Sequence, residues 1–233
     1  MNSSAAASGS ITASNAPAAG RLRQGLLQVA VTLVVLAWVP GTVLKTVVLL
    51  GLWSLLFLPL RRAEVLMAIG VCVFFFGMNA SALKQGIFQF REPDVLGMPV
   101  WELVMWGFYL LHVYRFWGDA APDTPGRTRL AWVFGLVFAA CFSVITNQSV
   151  LFMATAAVLA VALLVFHDRL DLAYAGHMVV LGALVEYTGV HAGQWFYPID
   201  VPGGVPPWFV TMWGGIGLFF RRLVLPWLSP HRR

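Results

Sequence analysis

The chain has 233 residues, 59% of them hydrophobic and 11% charged, and its mean hydropathy is +0.78. A soluble domain usually carries about 25% charged residues, so this composition excludes a water-coated surface and implies an integral membrane protein. The net charge of +5 bears on topology, because Lys and Arg collect in cytoplasmic loops, and no basic run interleaved with aromatics suggests nucleic acid.

Residues 1–20 are rich in Ser, Ala and Gly and lack a core pattern, which predicts a disordered tail. Residues 21–233 then read as a single integral-membrane domain. Arg21 and Arg23 precede a long apolar run, the arrangement of a signal-anchor rather than a cleaved signal peptide. A membrane-spanning helix needs about 20 mostly apolar residues. Eight segments qualify: 24–40, 42–60, 64–90, 97–117, 129–147, 149–166, 171–192 and 205–228. The turns Pro40-Gly41 and Asn147-Gln148 imply antiparallel neighbours; merging either pair leaves seven helices, the alternative count. With the N-terminus in the cytoplasm, twelve of the fifteen basic residues fall on that side, and only Lys45, Lys84 and Arg91 fall elsewhere. That asymmetry fits eight helices with both termini cytoplasmic, in a bacterial inner membrane.

Cys72 and Cys141 lie inside apolar runs without CxxC spacing and read as inert buried thiols. His112, His167, His177 and His191 form no HxxxH or HExxH pattern. No metal, redox or other cofactor is expected. The stretch from His167 to Asp171 reads as a solvated loop.

A block recurs at an offset of 107 residues. "GMPVWELVMWG" (Gly97–Gly107) matches "GVPPWFVTMWG" (Gly204–Gly214), Gly86 aligns with Gly193, and Arg115 with Arg222. The halves are 42–117 and 149–224. Four helices separate equivalent elements, so the copies share one orientation: parallel repeats about an axis along the membrane normal.

The acids do not follow the duplication. Glu102 faces Phe209 in the second copy, and Glu186 faces Asn79 in the first. Both glutamates fall in the outer part of a span, Glu102 one turn inside helix 4 at its positive end. A carboxylate inside a span costs about 2.5–3.5 kcal/mol and marks a functional candidate. A carboxyl group withdrawn from water favours its protonated form, which suits a general acid. Glu102, Glu186 and Asn79 are therefore the candidate catalytic residues. Phe88, Trp101, Trp106, Trp195, Tyr197, Trp208 and Trp213 cluster near the same depth and are candidate substrate-binding residues, since aromatic faces stabilise cations. The plainer readings are a capping Glu102, a hydrogen-bonded Glu186 and an interfacial aromatic belt.

"GIFQFREPDVLGMPVWE" (Gly86–Glu102) resembles the integral-membrane lycopene cyclase domain of carotenoid biosynthesis. Gly86, Ile87, Phe88 and Phe90 match that family's Gly–Ile/Val–Trp–x–Tyr stretch, and Val95, Leu96 and Gly97 match its loop. Pro99 and Glu102 match its proline and second glutamate, with Trp101 in place of the first glutamate and Asn79 in place of an upstream aspartate. "EYTGVHAGQWFYP" (Glu186–Pro198) is similar to the wider carotenoid-biosynthesis membrane proteins. The resemblance implies an all-α polytopic bundle with duplicated three-helix units and an enzyme acting on an apolar polyene.

The expectation is an isoprenoid- or carotenoid-modifying enzyme that starts cyclisation or hydration by protonating a double bond. Its partners are then membrane lipid and an apolar isoprenoid substrate or pigment, with a homo- or hetero-oligomer left open. Two other readings stand beside it: a non-catalytic membrane protein that binds lipid or pigment or assists assembly of a complex, and a small-molecule transporter.

Overall fold

The computed structural model describes residues 16–118, 121–122 and 127–228. Eight helices of twelve or more residues follow one another among them: α1 (Ala16–Trp38), α2 (Thr42–Phe57), α3 (Arg62–Lys84), α4 (Glu102–Trp117), α5 (Thr128–Val144), α6 (Gln148–Phe166), α7 (Arg169–His191) and α8 (Trp208–Phe219). A π-helical turn (Phe220–Val224) joins α8 to a last short helix, α9 (Leu225–Leu228). Both short turns do break the chain. Gly41 takes φ 67° between α1 and α2, and Asn147 caps α6 by accepting a hydrogen bond from the backbone N–H of Val150 at 3.1 Å. Helix α1 starts at Ala16, inside the stretch expected to be a tail; residues 1–15 lie outside the described residues.

Among the described residues four segments are long and apolar enough to cross a membrane: Ala19–Trp38, Arg62–Lys84, Gln148–Phe166 and Pro202–Leu228. Helices α2 and α5 are also apolar but have 16 and 17 residues, about 24–26 Å of rise against a hydrocarbon core of about 30 Å. Apolar side chains face outward. Leu44, Val47, Leu66, Val73, Leu136, Met153 and Leu164 are all exposed, as lipid-facing residues would be.

Two expected boundaries shift. Helix α3 stops at Lys84 rather than 90, because Gly86 at φ 70° turns the chain into an extended pair, β1 (Gln89–Phe90). That strand pairs antiparallel with β2 (Trp195–Phe196), Gln89 opposite Phe196 and Phe90 opposite Trp195. Helix α4 begins at Glu102 rather than 97. Asp94 organises the loop before it: the Val100 N–H donates to Asp94 Oδ2 at 3.0 Å, and the Asp94 and Val95 N–H groups both donate to Met98 O. Glu102 is consequently the first residue of its helix and not one turn inside.

Inside the bundle, α4, α7 and α8 are the covered elements. Nearly the whole length of α4 from Met105 to Tyr114 is buried, and α8 packs against α5, α6 and α7. The end of the bundle opposite the β pair is held by ion pairs. Arg115 on α4 donates to Glu64 on α3 from Nε at 2.9 Å and from Nη2 at 2.8 Å, and to the carbonyls of Phe57 and Pro59. Asp171 on α7, expected in a solvated loop, is fully buried and takes Arg221 and both Nε and Nη2 of Arg222 from the π turn. The correction is physical: two guanidinium groups buried by α8 require an anion there. Asp168, at the end of α7 and partly exposed, joins Arg221 at 2.8 Å. Burial alone would raise the Asp168 carboxyl, but the Leu170 N–H and the Arg221 guanidinium outweigh it and hold it below the usual aspartate range. Its stabilising contribution is therefore complete above the unfolded-state value and is lost as the pH falls through the depressed one.

Candidate functional site

Each acid sits at a helix position that faces inward. Glu102 opens α4, and the same helix face continues through Trp106 and Tyr109, at i+4 and i+7. Glu186 lies on α7, with Gly182 and Gly189 four residues before and three residues after it on its face. A Cβ on Gly182 would lie 2.2 Å from the Trp213 ring, and one on Gly189 would lie 1.9 Å from the Trp195 ring. The two glycines are the slots that let both indoles reach the carboxyl group between them. Gly189→Ala is expected to displace Trp195 from Glu186 and destabilise the fold by about 1–3 kcal/mol, the usual cost of overpacking. Thermal unfolding in detergent, with indole fluorescence as the readout, checks this.

The hydrogen bonds divide the acids. Glu186 is buried and its oxygens take three donors: Trp195 Nε1 at 3.1 Å and the Tyr197 hydroxyl at 2.7 Å on Oε2, and Trp213 Nε1 at 3.1 Å on Oε1. Glu102 takes two, both on Oε1: Asn79 Nδ2 at 2.7 Å and Trp106 Nε1 at 3.1 Å. Among the described residues no donor reaches its Oε2. The indoles of Trp106 and Trp213 stack with centroids 5.0 Å apart, and Phe75 continues the stack on Trp106 at 3.9 Å. Of the stacked pair, Trp106 thus serves Glu102 and Trp213 serves Glu186.

Glu102, Glu186 and Asn79 border one cavity of about 50 Å³. Phe88, Trp106, Trp195, Tyr197, Trp208 and Trp213 border it as well. Trp101 does not. It is fully buried behind the cavity wall, edge-on to Phe90 at 5.7 Å and tilted against Trp195 at 6.2 Å, with the Lys45 ammonium 5.5 Å from its ring. Lys45 itself is buried and hydrogen-bonded to Gln194. Phe209, 107 residues after Glu102, packs edge-on against Tyr187.

Sequence reasoning missed Tyr109, which borders the cavity with its ring 5.2 Å from Trp213 and 5.6 Å from Trp106. The i, i+4, i+7 spacing from Glu102 was the available signal. It also missed a second buried polar cluster. His112 Nδ1 lies 2.9 Å from Gln28 Oε1, and its Nε2 lies 3.2 Å from His177 Nε2, joining α1, α4 and α7. No short-range pattern links these three residues. Cys72 lies against α4, its sulfur 3.2 Å from the Gly107 nitrogen, and Cys141 is on α5; both are free thiols.

The arrangement holds two carboxyl groups of unequal saturation beside stacked aromatic faces, both bordering one cavity. It can offer a proton from one acid and a negative charge from the other across a space walled mainly by rings. No protein-family model, curated protein or solved structure matches the chain.

Proposed function

We propose that the protein is an integral-membrane enzyme of isoprenoid chemistry that starts cyclisation or hydration by protonating an alkene. The observation that carries this is the meeting of Glu102 and Glu186, from helices far apart in sequence, at one aromatic-walled cavity. In this reading Glu102, with its donor-free Oε2, gives the proton. Glu186, held as an acceptor by three donors, and the faces of Trp106 and Trp213 stabilise the carbocation. The resemblance to the lycopene cyclase domain supports a linear polyene as the substrate class.

The proposal includes two parallel repeats within eight membrane helices, both termini on the cytoplasmic side of a bacterial inner membrane. Several pairs of features at the 107-residue offset support it. Gly86 and Gly193 share φ near 70°, and Gly97 and Gly204 are both left-handed. Glu64–Arg115 on α3 and α4 corresponds to Asp171–Arg222 on α7 and the π turn. Gln89 pairs with Phe196, its own equivalent, as a two-fold axis between the halves requires of an isologous contact.

The test is purified protein in lipid vesicles loaded with lycopene, and separately with squalene, in D2O. A product carrying one new C–D bond is the expected result. Wild-type protein that leaves both polyenes unlabelled and unchanged rejects acid initiation on linear polyenes. One observation favours the non-catalytic reading: three donors on Glu186 are also what a structural anchor would have. Under that reading Glu102→Gln and Glu186→Gln alter no product, while Trp106 and Trp213 remain sensitive, and pigment or partner subunits co-purify.

A further inference from the structure

A second cavity lies at the β-pair end of the bundle, on the far side of Trp101 from the acids. Its volume is about 120 Å³, and Glu92, Pro99, Trp101, Ala192, Gly193 and Gln194 line it. Pockets that enclose a whole drug-sized ligand measure roughly 300–1,000 Å³, so this one fits a small group. Exposure falls across its lining, from exposed Glu92 through half-buried Ala192, Gly193 and Gln194 to buried Pro99 and Trp101. Glu92 thus marks the mouth and Trp101 the floor.

The floor carries positive charge. Lys45 on α2 is 2% exposed. Its ammonium donates to Gln194 Oε1 and lies 5.5 Å from the centroid of the Trp101 ring. An ammonium has three N–H donors; only one meets an acceptor here, and Lys45 makes no ion pair among the described residues. A buried cation held by one neutral amide is costly unless an anion joins it. Gln194 donates one amide N–H to Ala192 O at 3.3 Å and keeps the other, strengthened by the cation on its oxygen. Arg91 stands alongside. Its guanidinium covers the Phe196 ring at 5.2 Å, and its Nε would lie 4.0 Å from a Cβ added at Gly193. The Arg91 and Glu92 side chains make no hydrogen bond among the described residues. The charge asymmetry leaves only Lys45, Lys84 and Arg91 off the cytoplasmic side, where basic residues are depleted. Two of those three meet at this cavity.

A simple anion would face Glu92 at the mouth, and a simple cation would face Lys45 and Arg91. A dipolar group satisfies both ends. We propose that the cavity binds a phosphate ester carrying a primary ammonium, the chemistry of a phosphoethanolamine head group. The phosphate oxygens accept from Lys45, Gln194 and Arg91 in charge-assisted bonds, and the ammonium donates to Glu92. Phosphate suits the floor because it offers several oxygens to donors arriving from three side chains. The group comes either from phosphatidylethanolamine of the surrounding bilayer or from free phosphoethanolamine. No covalent step is involved, and the site does not depend on the polyene reading.

The test uses full-length protein reconstituted in vesicles of equal parts phosphatidylethanolamine, phosphatidylcholine and phosphatidylglycerol, released in mild detergent and weighed by native mass spectrometry. Retention of one phosphatidylethanolamine per chain is expected, about fivefold over the other two lipids. The quaternary ammonium of phosphatidylcholine has no N–H for Glu92, and phosphatidylglycerol has no ammonium. Glu92→Gln alters an exposed side chain and leaves the fold intact; it is expected to lower phosphatidylethanolamine retention about fivefold and to raise that of phosphatidylglycerol. Lys45→Met is expected to lose both. Calorimetric titration of delipidated protein with phosphoethanolamine separates the sources. Binding heat that Glu92→Gln removes supports the site with the free ester as its ligand, and retained lipid without such heat supports it with the lipid. Equal retention of the three lipids together with no binding heat overturns the proposal, as does a Glu92→Gln protein with unchanged lipid preference and unchanged heat.

Discussion

Glu102→Gln is expected to abolish turnover with little effect on folding. Glutamine is nearly isosteric, and its carbonyl oxygen can accept the same two hydrogen bonds from Asn79 Nδ2 and Trp106 Nε1. Its amide nitrogen then stands where Oε2 stood, a position with no protein donor to oppose it among the described residues. What is lost is the transferable proton, worth about 10²–10⁴ in rate for a general acid. Glu186→Gln should behave differently. All three donors there need an acceptor, so either orientation of the amide sets its NH2 group against an indole N–H. An unmet buried donor costs about 1–3 kcal/mol. The pair of variants therefore separates chemistry from architecture: deuterium incorporation falls in the first with the melting temperature held, and the melting temperature falls in the second. Glu102→Gln with wild-type product formation would remove Glu102 as the acid.

Asp171→Ala should be the most damaging single change at the opposite end of the bundle. Asp171 has no exposure, and Arg221 and Arg222 keep 2% and 3%. Removing the anion takes the fully buried carboxylate from both guanidinium groups, and Asp168, which stays beside them, is partly exposed. Breaking a buried pair in this way costs about 3–5 kcal/mol. Glu64→Ala, which removes the carboxylate from Arg115, should cost less. Arg115 is 24% exposed and retains the carbonyls of Phe57 and Pro59. Thermal or denaturant unfolding in a mild detergent compares the two. Equal losses would mean that burial of the second guanidinium does not set the cost.

Much of the fold was legible because its causes are local. Proline, glycine and Asn147 end or start helices through their own backbone geometry, so the break at Pro40-Gly41 and the cap on α6 are written into short stretches. The helix limits differ at two loops: after Gly86 a strand pairs with residues more than a hundred positions away, and before Glu102 the Asp94 loop replaces helix. Glu102 and Glu186 were candidates because a carboxyl in an apolar run stands out. Trp101 lies off the cavity that the other candidate rings border, because depth along a helix does not say which side of a wall a ring occupies. Asp171 was misread because its partners lie 50 and 51 residues along the chain. Gly182 and Gly189 look like ordinary small residues in a span until the indoles that fill their slots are known.

By itself the sequence determined an apolar helical chain, most of its helix limits, and the presence of Glu102 and Glu186 in otherwise apolar stretches. These follow from composition, backbone preference and spacing, which act over a few residues. The tertiary structure decided that Glu102 and Glu186 share a cavity and that Trp106 and Trp213 stack between them. It also decided that Glu186 is saturated while Glu102 keeps a free oxygen, and that Tyr109 joins the site. Those facts depend on which faces of α4, α7 and α8 meet, and that choice is made by side-chain packing between segments far apart in the chain, which no local pattern encodes.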